Sequence, residues 1–171
     1  YFILIALFAF SFYEIYSEDE KHSDKLFYAG IAMLVLLDGL RWGSGTDWLP
    51  YYQFFELCNR PVHDFDYFEP LYVVFNRIIR FFTDRYTVFL FCHALFCYSL
   101  IGSTIKKYAR YPILTLALYY SVTLCFQGMN RQYMAMAVLI FAVRYVINRD
   151  LLRFSICFVI AFFFHRSSVL F

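Results

Sequence analysis

Charge is scarce in this chain. Only 16% of its 171 residues are Asp, Glu, Lys or Arg, and the mean hydropathy is +0.57. Such a composition excludes a disordered chain and argues against an ordinary soluble domain. A net charge of +2 is too small to point to a nucleic-acid partner. Cysteine chemistry is missing too. Cys58, Cys92, Cys97, Cys125 and Cys157 form no CxxC pair, and four of the five lie inside apolar runs. They read as small buried hydrophobes, not as a disulfide framework or a zinc site. No internal repeat, low-complexity tract or linker interrupts residues 1–171, so a single domain is expected. The opening run has no initial Met and no basic n-region, so it does not read as a signal peptide. Both ends fall inside apolar stretches, and the expectation is a part of a longer membrane protein.

What the chain has instead is aromatic and apolar surface. Phe and Tyr number 23 and 16, and aromatics reach 24%, which suits lipid-facing and interfacial positions. Its polar residues collect at four breaks between apolar runs. One runs from Arg41 through Gly43, Ser44, Gly45, Thr46 and Asp47 to Trp48. A second holds His63, Asp64, Asp66, Glu69 and Pro70. The third is Asn130-Arg131-Gln132, and the fourth is His165-Arg166-Ser167-Ser168.

A spanning helix needs roughly 20 mostly apolar residues, fewer where flanking side chains snorkel. Runs at 1–16, 26–40, 86–104, 112–127, 133–147 and 154–164 predict six crossings. Residues 71–82 are different. Twelve helical residues reach only about 18 Å, and the run carries Arg77 and Arg80. Leu71, Val74, Phe75, Ile78 and Phe82 form one stripe, with Asn76, Arg77, Arg80 and Asp84 opposite. If this segment does not cross, the Lys21/Lys25, Lys106/Lys107/Arg110 and Arg149/Arg153 loops share one side, as the positive-inside rule asks. All four polar breaks then share the other side. The predicted fold is all-α: a polytopic membrane domain of about six spans. It carries one re-entrant or interfacial outer helix within an extracytoplasmic segment over 43–85.

Read in order, these motifs resemble the EpsG-like family of bacterial exopolysaccharide and capsule synthesis, related to the Wzy polymerases. The resemblance is carried by Arg41, Gly45-Thr46-Asp47-Trp48, Tyr51-Tyr52, Glu69-Pro70-Leu71-Tyr72, Arg131-Gln132 and Phe164-His165-Arg166-Ser167. It implies a multi-pass protein of the bacterial plasma membrane. Its implied activity is polymerisation of undecaprenyl-diphosphate-linked oligosaccharides at the extracytoplasmic face. The partners implied are that lipid-linked substrate, the bilayer, and other polysaccharide assembly proteins. Family members are typically about twice this length, so site residues beyond Phe171 are expected.

Such a reaction needs a cationic clamp for the leaving diphosphate, a base for the acceptor hydroxyl and a greasy groove for the polyprenyl chain. Arginine suits the clamp, because its planar fork binds phosphate bidentately and keeps its charge. Arg131, with Gln132 beside it, is the first candidate; the bland alternative is an interfacial arginine reaching for water. Arg41 is a second, unless Asp38 one turn earlier simply neutralises it. His165 could transfer a proton and Arg166 bind phosphate, or both could cap a helix C-terminus. Arg77 and Arg80 could face a phosphate or pair with Asp84 or Glu69. Asp47 and Glu69 are candidate bases. Asp47 could equally cap a helix starting near Trp48, and Glu69 could favour the dipole of the helix starting at Leu71. Trp42, Trp48, Tyr51 and Tyr52 could stack on sugars. His63, Asp64, Asp66, Asp47 and Glu69 fit no metal-loop spacing, so neither metal nor cofactor is expected. Arg144 reads as an inner-face arginine that snorkels. A glycan ligase of the same class and a non-enzymatic carrier of lipid-linked glycan remain as alternatives.

Overall fold

The computed structural model describes residues 2–17, 19–45, 47–59, 68–124 and 128–170. These residues are all-α. Their helices are α1 (Phe2–Tyr16), α2 (Glu20–Leu40), α3 (Trp48–Leu57), α4 (Pro70–Phe82), α5 (Tyr86–Tyr108), α6 (Pro112–Thr123), α7 (Asn130–Ile147) and α8 (Leu151–Phe164). A 3-10 segment, Arg166–Leu170, follows. His63, Asp64 and Asp66 lie outside the described residues.

Local chemistry sets the boundaries. Asp19 caps α2 by accepting the His22 amide at 3.1 Å, and Asp150 caps α8 through the Arg153 amide at 3.0 Å. Pro70 and Pro112 open α4 and α6, where a missing N–H costs nothing. Arg149 takes φ 55° to turn α7 back onto α8. Gly128, at φ 102°, supplies the left-handed step just before α7, which a side chain would strain.

The helices pair in order through space: α1 along α6, α2 along α5, α5 along α7, and α7 along α8. Leu7, Phe27, Leu34, Phe89, Ile101 and Leu116 fill the interior. Close approach depends on missing side chains. A Cβ on Gly39 would fall 2.4 Å from the Phe91 ring. The outward surface is also apolar: Ile5, Phe12, Leu36, Leu118, Leu151 and Ile156 are all exposed. So broad an apolar exterior marks contact with something other than water. By length and apolarity α5, with 23 residues, is long enough to cross a bilayer by itself; α1, α6 and α8 are apolar but shorter.

The two ends of the bundle differ chemically. At one end Lys106 pairs with Asp24, and Glu14 caps α6 by accepting the Ile113 and Leu114 amides. There Arg144 donates to Ser103 Oγ at 2.9 Å and Thr104 Oγ1 at 3.1 Å, stitching α7 to α5. The arginine expected to snorkel also ties two helices together there. The other end gathers the C-terminus of α2, all of α3, both ends of α4, and the starts of α5 and α7. α4 therefore begins and finishes at the same end. Its buried line is Tyr72, Asn76 and Ile79, while Val74, Ile78, Phe81 and Phe82 face outward. The apolar stripe is thus turned largely to the exterior, and Asn76 from the polar face is turned in, donating to the Tyr72 carbonyl at 2.8 Å.

Candidate functional site

The N-terminus of α7 is where the polar breaks meet. Asn130, almost wholly buried, accepts a hydrogen bond from Arg41 Nη2 at the end of α2. Its amide nitrogen donates to Tyr86 Oη at 3.4 Å, and its backbone carbonyl accepts from His93 Nε2 at 3.1 Å. His93 sits seven residues into α5, so this floor lies about 10 Å below the start of that helix. The site is recessed, and Trp42, Trp48 and Tyr52 form a rim above it, packed on the buried Tyr86. Their ring centroids are 5.4 to 6.4 Å apart.

One residue further along α7, Arg131 joins three chain segments. Its Nη1 donates to Glu69 Oε2 at 2.7 Å and its Nε to Tyr51 Oη at 3.3 Å. The guanidinium lies 4.7 Å from the Phe68 ring centroid and 5.8 Å from that of Tyr51. Glu69, the N-cap residue of α4, is buried, but its carboxylate does not cap that helix. Oε1 instead accepts from His165 Nδ1 at 3.1 Å and from the Arg166 amide at 3.1 Å. Burial acts to raise its pKa. Hydrogen bonds from His165, the Arg166 amide and Arg131 overcome burial and hold it at about 2. The carboxylate can only accept, so His165 carries a proton on Nδ1 where it faces Glu69.

The remaining candidates are placed differently. Arg166 reaches the cluster through its backbone, and its side chain is exposed. Gln132 is half-buried in the first turn of α7. Asp47 occupies the N-cap position of α3, yet its side chain makes no cap bond; its carbonyl accepts the Tyr51 amide at 3.4 Å. Trp48 and Tyr52 belong to the rim, whereas Tyr51, expected among the sugar-facing rings, is buried. Burial pushes its phenol pKa up, opposed by Arg131. Arg77 and Arg80 are not drawn into the cluster. Arg77 Nε donates to the Cys58 carbonyl at 2.8 Å; Arg80 pairs with Asp84 at 2.9 Å and lies 3.7 Å from Glu56. Asp38 lies within the electrostatic reach of Arg41. Asp38 accepts from Tyr98 Oη at 2.9 Å, and both residues line a cavity of about 10 Å³, room for one water. Beside them an open groove of about 530 Å³ runs along Ile3, Met33, Leu36, Leu37 and Leu40 to Arg41.

Sequence reasoning missed the organising role of Asn130 and passed over His93. Both had signals: Asn130 stands inside the third break, and His93 is an ionisable residue within an apolar run. Among the described residues, no three His, Cys, Asp or Glu side chains gather as metal ligands would.

The EpsG family matches residues 24–171, most of the chain and every described element of the site. The chain belongs to the EpsG family. Membership makes it a membrane protein of polysaccharide biosynthesis. No curated protein and no solved structure matches it.

Proposed function

We propose that this EpsG-family protein is a metal-independent membrane glycosyltransferase of the polymerase type. It joins undecaprenyl-diphosphate-linked repeat units at the extracytoplasmic face of the bacterial plasma membrane. The observation that carries this reading is the meeting of Arg131, Glu69 and His165 at the bundle end opposite the basic loops. In that orientation α1, α2, α5, α6, α7 and α8 cross the bilayer with snorkelling flanks, and α3 and α4 lie on the outer side. The sorting of Lys106, Lys107, Arg110, Arg149 and Arg153 to the opposite end agrees with the positive-inside rule.

The chemistry follows from the atoms. The acceptor sugar hydroxyl gives its proton to His165 Nε2 while its oxygen attacks the anomeric carbon of the donor. The bond from that carbon to the phosphate oxygen breaks, and lipid diphosphate leaves. Arg131, with Arg41 on the other side of Asn130, meets the charge that develops on the leaving group. Fixed cations in a recessed site stabilise such charge strongly. A carboxylate held at about 2 takes up protons poorly near neutrality, so Glu69 is a positioning residue that fixes the His165 tautomer. The groove ending at Arg41 suits the polyprenyl tail, and the aromatic rim suits sugar rings.

Purified protein in lipid nanodiscs, supplied with one lipid-diphosphate oligosaccharide, should yield a ladder of longer lipid-linked products. The ladder should survive chelator and vanish in His165→Ala. If substrate crosses the membrane with no ladder, the carrier alternative holds. If glycan passes only to a different acceptor, the protein is a ligase.

A further inference from the structure

Glu69 is an unusual partner for a phosphate-binding arginine. Its carboxylate is buried, and the groups it accepts from lie 62, 96 and 97 residues away. Those donors, one guanidinium, one imidazole N–H and one backbone amide, are the kind that bind phosphate oxygens. Tyr51 accepts from the guanidinium Nε, and the Phe68 ring centroid lies 4.7 Å from its Cζ. An internal anion therefore sits on the donors that the proposed reaction needs for an external one.

We propose that Glu69 is a built-in substitute for substrate phosphate at Arg131. While the site is empty, Oε2 neutralises the guanidinium. When a diphosphate arrives, it takes Arg131 Nη1 from Glu69, whose Oε1 stays on His165 Nδ1. The exchange is phosphate for carboxylate on one cation, and it leaves the Glu69 carboxylate held by His165 and the Arg166 amide alone. It gives the site selectivity. A neutral glycan or lipid cannot displace the carboxylate, so the clamp opens only for a ligand carrying its own negative charge. This inference rests on the reading of Arg131 as the diphosphate ligand.

The test uses inorganic pyrophosphate as probe and the whole chain in detergent or nanodiscs. Its readouts are direct binding and thermal stability, for wild type, Glu69→Gln, Glu69→Asp and Arg131→Gln. Glu69→Gln is nearly isosteric and removes the competing charge. It should bind pyrophosphate about ten- to a hundredfold tighter than wild type, as expected from removing one charged hydrogen bond that the ligand must otherwise break. Without ligand, Glu69→Gln should melt below wild type, and pyrophosphate should restore most of the loss. Glu69→Asp, whose carboxylate is set back by one methylene, should bind with intermediate affinity. Arg131→Gln should abolish both the binding and the rescue. Glu69→Gln binding that is equal to or weaker than wild type, with Arg131 still required, overturns the substitution and leaves the diphosphate clamp standing. Absence of pyrophosphate binding in all four proteins overturns both.

Discussion

Replacing Arg131 by lysine tests the centre of the proposed site. The guanidinium donates through Nη1 to Glu69 at 2.7 Å and through Nε to Tyr51 at 3.3 Å, while its Cζ lies 4.7 Å from the Phe68 centroid. Lysine keeps the charge. One ammonium cannot serve two partners set at a fork's spacing. Loss of one oriented contact to a developing anion in a recessed site costs about 2–4 kcal/mol. That converts to a rate loss of roughly 30- to 1,000-fold. Arg144→Lys is the matched control. Arg144 stacks 3.7 Å from the Phe141 centroid and bonds Ser103 and Thr104 at the far end of the bundle. Its replacement should lower stability by about 1 kcal/mol through lost hydrogen bonds, with the rate unchanged. The assay is polymer length and initial rate per unit of inserted protein, with thermal melts alongside. Near-normal polymer from Arg131→Lys, or an equal loss from both variants, would refute the argument.

Sidedness can be read with an impermeant thiol reagent on cells. Cys58 itself is unsuitable, because it is buried and burial raises its thiol pKa, so Asn59→Cys is the better reporter. Asn59→Cys should label on intact cells and Lys107→Cys only after permeabilisation; the reverse pattern inverts the orientation. Acid should expose Glu69 through linkage. Its folded pKa of about 2 lies below its ordinary 4.5, so the stabilisation is complete above about 4.5 and is lost as pH falls towards about 2. Glu69→Gln melts should lack that fall, and parallel acid profiles for the two proteins would remove the cause assigned to it. Gly39→Ala should destabilise by about 1–3 kcal/mol, since its methyl must displace the Phe91 ring; an unchanged melting temperature would mean that the α2–α5 contact is looser than described.

Much of this was legible because membrane-like patterning is coarse and strong. The helices fall where the apolar runs predicted, and residues 70–82 form a short helix of their own. Arg131, Glu69 and His165 were each visible as polar residues at run boundaries. Their union was not. A hydrogen bond between residues 62 or 96 apart leaves no trace in local periodicity, and the carboxylate that looked like a base is tied by groups from two distant helix ends. For Arg77 and Arg80 the sequence left phosphate and a carboxylate partner open. Their type suits phosphate, but Cys58, Asp84 and Glu56 are nearer in the folded chain. α7 begins at Asn130, which places Arg131 on the first turn.

The long separations within the site also have a consequence for biogenesis. Chains are made from the N-terminus, and Arg41 precedes its partner Asn130 by 89 residues, Glu69 precedes Arg131 by 62 and His165 by 96. While α1 to α6 are being inserted, Arg41 waits without its amide partner and Glu69 without the cation that neutralises it. Only the arrival of α7, and then α8, completes the set. Assembly of this cluster therefore waits for α7 and α8, and a chain arrested before Asn130 presents an unmatched carboxylate where one that includes both helices presents an ion pair. Such a chain differs from the finished protein in a way that a quality-control protease of the membrane can recognise.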